Sequence, residues 1–369
     1  MKLLIISHTE HYLVNNEVRG WNATIREIDQ LASIFDHVTH LAPLHNTPAP
    51  PSSAAYTASN ISFQPLTPSG GDGFINKLKI IFYVIPNLIK INRACGDADI
   101  IHFRAPTNLG VYTLPFLWFY KHKMQWVKYA GNWVQENKPW SYRFQQWWMI
   151  KNFNKGIGTI NGHWPNQPNH LHTFENPCLS QAELTNAQQT QRNWNGKLTV
   201  CFAASLNPEK GAIKILEALQ RIDNAAARIE KVIFAGDGKE RAQIENFKSN
   251  IPFELRGYLN KKEVFEMFAN AHLIILPTRN EGFPKTIAEA MAYGCIPLVT
   301  DVSCIGQYIN NSNGVLLADD QVETLQMALQ NLILLTPETL QAKSEEAKKI
   351  ASLFSYEYYL FKLRRIFKI

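Results

Sequence analysis

Long apolar runs are missing from this 369-residue chain: none reaches the roughly 18 uninterrupted apolar residues that a membrane-spanning helix requires. Cysteine is scarce. The five, Cys95, Cys178, Cys201, Cys295 and Cys304, are odd in number, scattered and never spaced as metal-binding pairs, which argues against a disulfide framework and fits a reduced, cytosolic compartment. Glycine signatures are lacking too: no Gly-x-Gly-x-x-Gly follows a strand and no P-loop occurs, which counts against dinucleotide enzymes and P-loop NTPases. Metal-ligand patterns are thin. Asp97-Ala-Asp99 precedes a strand instead of ending one and reads as a turn, and His170-x-His172 has no third ligand legible nearby. No basic-then-apolar leader opens the chain, because Met1-Lys-Leu-Leu-Ile-Ile6 runs straight into polar residues and reads as a first strand.

What is present describes an ordinary globular protein, with 46% apolar and 18% charged residues. Its length exceeds what one hydrophobic core usually supports, so two domains are expected. Strand-like and helix-like segments alternate, which predicts an α/β fold of parallel sheets with helices on both faces. In the first half, strands are expected at Leu3–Ser7, His37–Leu41, Ile61–Gln64, Asp99–Phe103, Gln125–Tyr129 and Ile157–Ile160. The Pro/Ser/Ala stretch Asn46–Asn60 reads as a surface excursion without an element of its own. The boundaries place an N-terminal domain at 1–175, a polar Asn/Gln-rich linker at 176–196, a C-terminal domain at 197–353 and a final amphipathic helix at 354–369.

The most informative stretch is Glu281-Gly-Phe-Pro-Lys-Thr-Ile-Ala-Glu289. An apolar run, Leu273–Leu276, reads as a buried parallel strand that stops at Pro277, and a helix is expected to open at Gly282-Phe283-Pro284. Amides from about Phe283 to Thr286 would then point outward with the positive end of the helix dipole behind them, an arrangement suited to phosphate. Lys285 lies where that dipole disfavours a cation unless an anion sits close by. Helical spacing puts Glu289 on the same stripe as Lys285 and Thr286, where it reads either as half of a weak surface pair or as a carboxylate able to accept ribose hydroxyls.

The setting E-G-F-P-x-x-x-x-E-A-M-A-x-G resembles the donor-site motif of retaining glycosyltransferases of the GT-B fold, family four. Ser205-Leu-Asn-Pro-Glu-Lys210-Gly211 is similar to that family's phosphate loop, Ala235-Gly-Asp-Gly238 to its second strand end, and Arg256-Gly257-Tyr258 to the loop beside the nucleotide base. The resemblance covers most of 197–335, and the first half matches in pattern only. It implies two Rossmann-like domains with parallel sheets facing a central cleft, and a nucleoside diphosphate sugar as donor. It also implies a hydroxyl acceptor on a glycan or lipid carrier in bacterial surface-polysaccharide assembly, retention of configuration, and neither metal nor other cofactor. By the same resemblance Glu281 grips the donor sugar, Glu289 the ribose, and Lys210 the distal phosphate, while the final helix braces the first domain. The arginine the family carries five residues before the lysine is here Ser205, so the missing charge is expected from elsewhere, with Arg256 and Lys285 as candidates.

The first domain departs further from that pattern. Gly20 is the candidate for the glycine whose amide approaches the donor phosphate, although a helix-start glycine explains it equally well. Arg104, Asn132 and Trp133, at or just beyond strand ends, are the candidate acceptor-side residues; Asn132 could bond sugar hydroxyls and Trp133 could stack on a ring face. Charge gathers here as well. Residues 74–155 hold twelve Lys plus Arg against three Asp plus Glu, a local +9 in a protein of net +6, and seven of the nine tryptophans lie between Trp118 and Trp164. Any single tryptophan reads as core, but the cluster, with the basic amphipathic segment Phe74–Ala94, reads as a surface for an anionic membrane, which would make a cytoplasmic protein peripheral on the inner face. No nucleic-acid motif accompanies the charge. Two other readings stand beside the transferase: a non-catalytic nucleotide-sugar binding or scaffold protein, and a sugar-nucleotide epimerase of similar architecture.

Overall fold

A computed structural model describes residues 1–68 and 74–369, with side chains 74–81 excepted. The chain divides into two compact units, Met1–Phe174 with Lys362–Ile369, and Glu175–Phe361.

Unit 1 runs β1 (Lys2–Ile6), β2 (His11–Val14), β3 (Glu17–Trp21), α1 (Asn22–Leu31), β4 (His37–His45), β5 (Ser53–Ala55), β6 (Ile61–Leu66), α2 (Phe74–Asp97), β7 (Ile100–Ala105), α3 (Gly110–Leu117), β8 (Met124–Tyr129), α4 (Trp140–Lys151), β9 (Ile157–Ile160) and β10 (Leu171–Thr173). The sheet order is β10-β9-β8-β7-β1-β4-β2-β3-β5, with β6 also paired to β4. Ile6 at the end of β1 is opposite Leu41 on one side and Phe103 on the other. The order in which strands are added reverses about β1, since α1 leads to β4 on one side and α2 leads back to β7 on the other, both parallel to β1. Ile91 and Cys95 of α2, Leu114 and Leu117 of α3 and Met149 of α4 join one apolar cluster with Leu4, Ile6 and Phe103, so these three helices cover one face of the sheet.

A hairpin, β2–β3, turns at Asn15-Asn16, whose φ of 50° and 65° is the geometry a two-residue turn needs and which asparagine tolerates. The sequence reading missed it because polar residues interrupt the alternation. The stretch Asn46–Asn60 likewise carries a strand, β5, paired to β3.

Unit 2 runs α5 (Gln181–Gln188), β11 (Leu198–Ala203), α6 (Ala212–Gln220), α7 (Ala225–Arg228), β12 (Ile229–Ala235), α8 (Arg241–Glu245), β13 (Phe253–Leu255), α9 (Lys261–Asn270), β14 (Leu273–Leu276), α10 (Lys285–Ala292), β15 (Ile296–Thr300), β16 (Val315–Leu317), α11 (Val322–Ile333), α12 (Pro337–Ala351) and α13 (Tyr356–Phe367), whose last residues belong to unit 1. There Phe367 sets its edge against Trp126 at 5.6 Å. The unit 2 sheet is parallel, ordered β13-β12-β11-β14-β15-β16. Its strands β11, β14 and β15 are buried along their whole length, which is why they read as continuous apolar runs.

The expected linker 176–196 is instead folded into unit 2. Ser180 and Glu183 form a reciprocal capping box at the start of α5. Beyond it, Arg192 donates to the Phe268 (2.8 Å) and Tyr293 (2.6 Å) carbonyls, and Trp194 is buried. Polar composition misled because these side chains bond to backbone instead of to water.

Candidate functional site

Strand order reverses in unit 2 between β11 and β14, and ligands of open parallel sheets bind outside the carboxyl ends of strands at such a reversal. The loops that follow these two strands are 204–211 and 277–284, the segments that carry Lys210 and Glu281. Backbone bonds tie them together. Arg279 N–H donates to the Glu209 carbonyl at 2.9 Å, Leu206 N–H to Asp237 at 2.9 Å, and Gly236 N–H to Gly257 at 2.7 Å, so the ends of β11, β12, β13 and β14 form one rim.

Two glycines are forced by this crowding. Gly211 sits at φ 71° as the cap of α6, and a Cβ there would lie 2.8 Å from the Pro277 carbonyl oxygen. Gly236 has φ 139°, and its Cβ would lie 1.9 Å from the Ala204 carbonyl oxygen.

Lys210 and Glu281, 71 residues apart, meet as a half-buried ion pair. The helix behind them starts one residue later than expected: Pro284 is the cap (φ −73°, ψ 121°) and Lys285 the first helical residue. Ile287 N–H closes on the Pro284 carbonyl at 3.1 Å, so the Lys285 and Thr286 amides stand ahead of the first intrahelical bond. No side chain of the cap and no acidic residue of the first turn covers this end. Phe283 contributes by packing: its ring is buried, stacked on Phe354 at 4.4 Å and edge-on to Tyr308 at 5.2 Å, which fixes where α10 begins. Gly282 accepts a weak bond from the Cys304 thiol. Lys285, Thr286 and Glu289 share a partly exposed side of α10. Glu289 lies 3.7 Å from Lys261 at the start of α9.

Arg256 is placed differently from the expectation. Arg256 follows directly on β13, and its guanidinium bonds Glu254 of that strand through Nε (2.9 Å) and Nη2 (2.7 Å), while Glu254 also pairs with Lys231. These two cations hold the Glu254 carboxyl below its ordinary range. With an acid two residues back, the arginine is captured by that carboxylate. Lys214 and Arg279, which flank the rim, both bond Asp320. Lys210, paired with Glu281, and Lys285, the first residue of α10, are the two lysines at the ends of the loops that follow β11 and β14. Tyr258 is largely exposed beyond Gly257, and Ser205 is half-buried in the loop after β11.

In unit 1 the carboxyl edge is filled by a buried polar network. Glu27 is fully buried and receives Arg104 bidentately (2.8 and 3.2 Å) and Lys128 at 2.7 Å. Arg104 is thus a partner of Glu27 before it can be an acceptor residue. Glu27 and Lys128 were missed in the sequence, although Lys128 inside the buried strand Met124–Tyr129 needed an acid nearby. Beside this group runs a chain of hydrogen bonds whose tautomers follow from one end. His11 Nδ1 faces the Thr9 carbonyl at 2.8 Å and must carry the proton, so Nε2 accepts from Tyr56 Oη (2.8 Å). Tyr56 in turn accepts from His40 Nδ1 (2.6 Å), and His40 Nε2 accepts from Ser7 Oγ (2.7 Å). Burial pulls His11 down to about 4, and burial, seconded by nearby cationic or imidazole neighbours, pulls His40 and His102 well below the usual histidine range.

Gly20 belongs to this packing and not to an open phosphate loop. It lies inside β3 paired to His11, without the positive φ of a turn, and a Cβ would lie 2.6 Å from His11 Nε2 and 2.9 Å from Ile25. The missing side chain makes room for an imidazole. Asn132 accepts from the Val134 amide at 3.0 Å in a local turn, and Trp133 packs edge-on to Tyr129 at 5.1 Å. Asp99 accepts from the Lys2 amide, and His170 bonds the Met149 carbonyl, so both metal look-alikes have structural partners. No helix among the described residues is long and apolar enough to cross a membrane.

The profile of the family described as glycosyl transferases group 1 matches residues 185–350. A protein of Methanocaldococcus jannaschii named an uncharacterized glycosyltransferase is 28% identical over 171 residues, covering 45% of this chain and 47% of that protein. A GDP-mannose-dependent alpha-(1-6)-phosphatidylinositol dimannoside mannosyltransferase of Mycobacterium tuberculosis is 26% identical over 44% of this chain and 41% of its own length. The match spans under half the length of these curated relatives. Among solved structures, sucrose-phosphate synthase from Thermosynechococcus elongatus superposes with a TM-score of 0.72 at 14% identity, covering 100% of this chain and 98% of that one. Anabaena Alr3699/HepE in complex with UDP gives 0.65 at 13% identity, covering both chains fully.

Proposed function

We infer that this chain, which belongs to the group 1 glycosyl transferases through residues 185–350 and has the GT-B fold, moves a sugar from a UDP- or GDP-sugar to a hydroxyl of a glycan or lipid-linked acceptor. The observation that carries the reading is the meeting of Lys210 and Glu281 in the loops that lead to α6 and α10, at the strand reversal of unit 2.

The donor diphosphate would lie on the Lys285 and Thr286 amides, with Lys210 on the distal phosphate once the ion pair yields to it. Glu281, released from Lys210, would accept hydroxyls of the sugar, and Glu289 the hydroxyls of the ribose. As the bond between the anomeric carbon and the leaving phosphate oxygen breaks, the acceptor oxygen bonds to that carbon on the same face. The departing phosphate oxygen takes the acceptor proton, and configuration is retained. Charge on the leaving group is met by amides and lysine, and we propose that no metal is required. Neither carboxylate needs to act as a nucleophile.

Bacterial surface-polysaccharide assembly, including lipopolysaccharide, O-antigen or capsule, is the setting we propose, with the protein on the cytoplasmic side. Support comes from the relatives' names, which include a putative teichuronic acid biosynthesis glycosyltransferase of Bacillus subtilis, 24% identical over 128 residues. Ser205, standing where the family has arginine, favours one second reading, a nucleotide-sugar binding protein without turnover.

The test is a panel of UDP-, GDP- and ADP-sugars with and without glycan acceptors. Transfer or slow donor hydrolysis, reduced roughly 100- to 1000-fold in Lys210→Ala and Glu281→Ala, is the expected result. Binding without turnover would support the scaffold reading, and donor isomerisation without acceptor the epimerase.

A further inference from the structure

Among the described residues, the outer face of the helical layer of unit 1 carries a set of large exposed apolar side chains, and their chemistry points to a partner. α2, α3 and α4 bury their inner sides in one apolar cluster on the sheet. Their outer sides are apolar as well. On α2, Phe82 (78% exposed), Ile85 and Ile89 recur at helical spacing and form one ridge. The ridge continues onto the turn after α3, because the Tyr120 hydroxyl bonds Asn92, one helical turn beyond Ile89, at 2.6 Å. Next to Tyr120 stand Phe119 (68% exposed) and Trp118, with the Lys121 ammonium 4.2 Å above the Trp118 ring. α4, packed beside α3, repeats the pattern: Trp140 (64% exposed), Arg143, Trp147 and Ile150 make an exposed stripe three and four residues apart.

The tryptophan cluster of the sequence thus divides. Trp126 is fully buried and Trp133, Trp148 and Trp164 pack against the core, whereas Trp118, Trp140 and Trp147 face outward. Large exposed rings on adjacent helices are unusual for a surface meant only for water.

We propose that this face docks unit 1 onto an anionic lipid bilayer, with the outward rings and aliphatic side chains seated among the acyl chains just below the headgroups. Charge selects the occupant. Of the twelve basic side chains in residues 74–155, Arg104 and Lys128 pair with the buried Glu27 and those of Lys77 and Lys79 lie outside the described residues, so the charge of this face rests on the exposed ones. Exposed Arg93, Lys121, Arg143 and Lys151 lie on or beside the apolar ridges. A symmetric contact with a second copy would set the same positive excess against itself, whereas a bilayer containing phosphatidylglycerol supplies both the negative field and the apolar layer beneath it. Lys77–Lys79, part of the basic segment Phe74–Ala94, falls on side chains outside the described residues. Binding stands apart from the sugar-transfer reading; what it would accomplish, presenting a lipid-linked acceptor, rests on that reading.

The experiment is flotation of the full chain with vesicles of equal parts phosphatidylcholine and phosphatidylglycerol, against phosphatidylcholine alone. Expected is recovery with the anionic vesicles, reduced at least about tenfold by omitting phosphatidylglycerol or by adding high salt. The double variant Ile85→Glu, Phe119→Glu is expected to lose a similar factor with an unchanged near-ultraviolet circular dichroism spectrum, and Arg143→Glu, Lys151→Glu to lose less. Equal recovery with both vesicles, no recovery with either, or a concentration-dependent dimer abolished by the same substitutions would overturn the proposal. Thermal shifts with UDP and GDP on the same samples keep the two readings separate: nucleotide binding without flotation removes only the membrane face, and flotation without nucleotide binding leaves it standing.

Discussion

The carboxyl edges of the two sheets are built in opposite ways. In unit 2 the edge is a rim of glycines and loop backbone around a half-buried pair, Lys210–Glu281, and the start of α10, where no side chain of the cap bonds the backbone. In unit 1 the corresponding edge is packed with a fully buried carboxylate, its two cations and a relay of hydroxyls and imidazoles. The first keeps its charges near water, where a ligand can displace one partner for another. The second has withdrawn them, and a buried ion group serves position more than exchange. The difference teaches that polar residues at the carboxyl edges of two parallel sheets can be left near water in one unit and built into the architecture of the other.

The sharpest break in this comparison is expected between two glutamates. Glu27→Ala leaves Arg104 and Lys128 buried against no carboxylate and should cost about 3–5 kcal/mol, read as the shift of the urea midpoint. Glu281→Ala, at a half-exposed pair, should cost less than about 1 kcal/mol while lowering the proposed transfer or donor hydrolysis roughly 100- to 1000-fold. Equal stability losses would erase the distinction.

Acid should separate the units next. His11 in unit 1 and His272 in unit 2 are both pulled down to about 4, chiefly by burial, and His40 and His102 in unit 1 are pulled well below the usual histidine range. A lowered folded pKa means that the unfolded chain binds more protons between about pH 6.5 and 4. Stability is then fully present above that window and lost as pH falls through it, by about 3 kcal/mol for His11 alone. Unit 1, with more such imidazoles, should melt at the higher pH. Tryptophan fluorescence reports it, because eight of the nine tryptophans lie in residues 1–174. A single transition with both units failing together would contradict this.

A smaller effect tests the rim. Gly236→Ala places a methyl carbon against the Ala204 carbonyl at an unfavourable φ and should cost about 2 kcal/mol or more by thermal or urea unfolding. An unchanged midpoint would mean that the loops are looser than the bonds among them imply.

Much of unit 2 was legible because its signals are local. Apolar runs four to six residues long, Pro284 at the helix tip and Gly211 beside Lys210 each declare a strand, a cap or a turn without reference to distant residues. Unit 1 was legible as strands and helices but not as a site. Its edge depends on Glu27 meeting Arg104 and Lys128, 77 and 101 residues away, and on His11 filling the space left by Gly20. Arg256 pairs with Glu254, the acid two residues back, a contact that its place beside Gly257 and Tyr258 does not announce. The Asn/Gln-rich stretch 176–196 failed because composition does not say whether amides bond water or carbonyls.

The central claim is that the open rim of unit 2 binds a nucleoside diphosphate through its phosphates. Calorimetric titration of the whole chain with UDP, GDP and the corresponding free nucleosides tests it most directly. One diphosphate should bind, its nucleoside at least about 100-fold more weakly, and Lys210→Ala should lose at least about tenfold toward the diphosphate alone. Binding of neither diphosphate, or equal affinity in wild type and Lys210→Ala, would contradict the account.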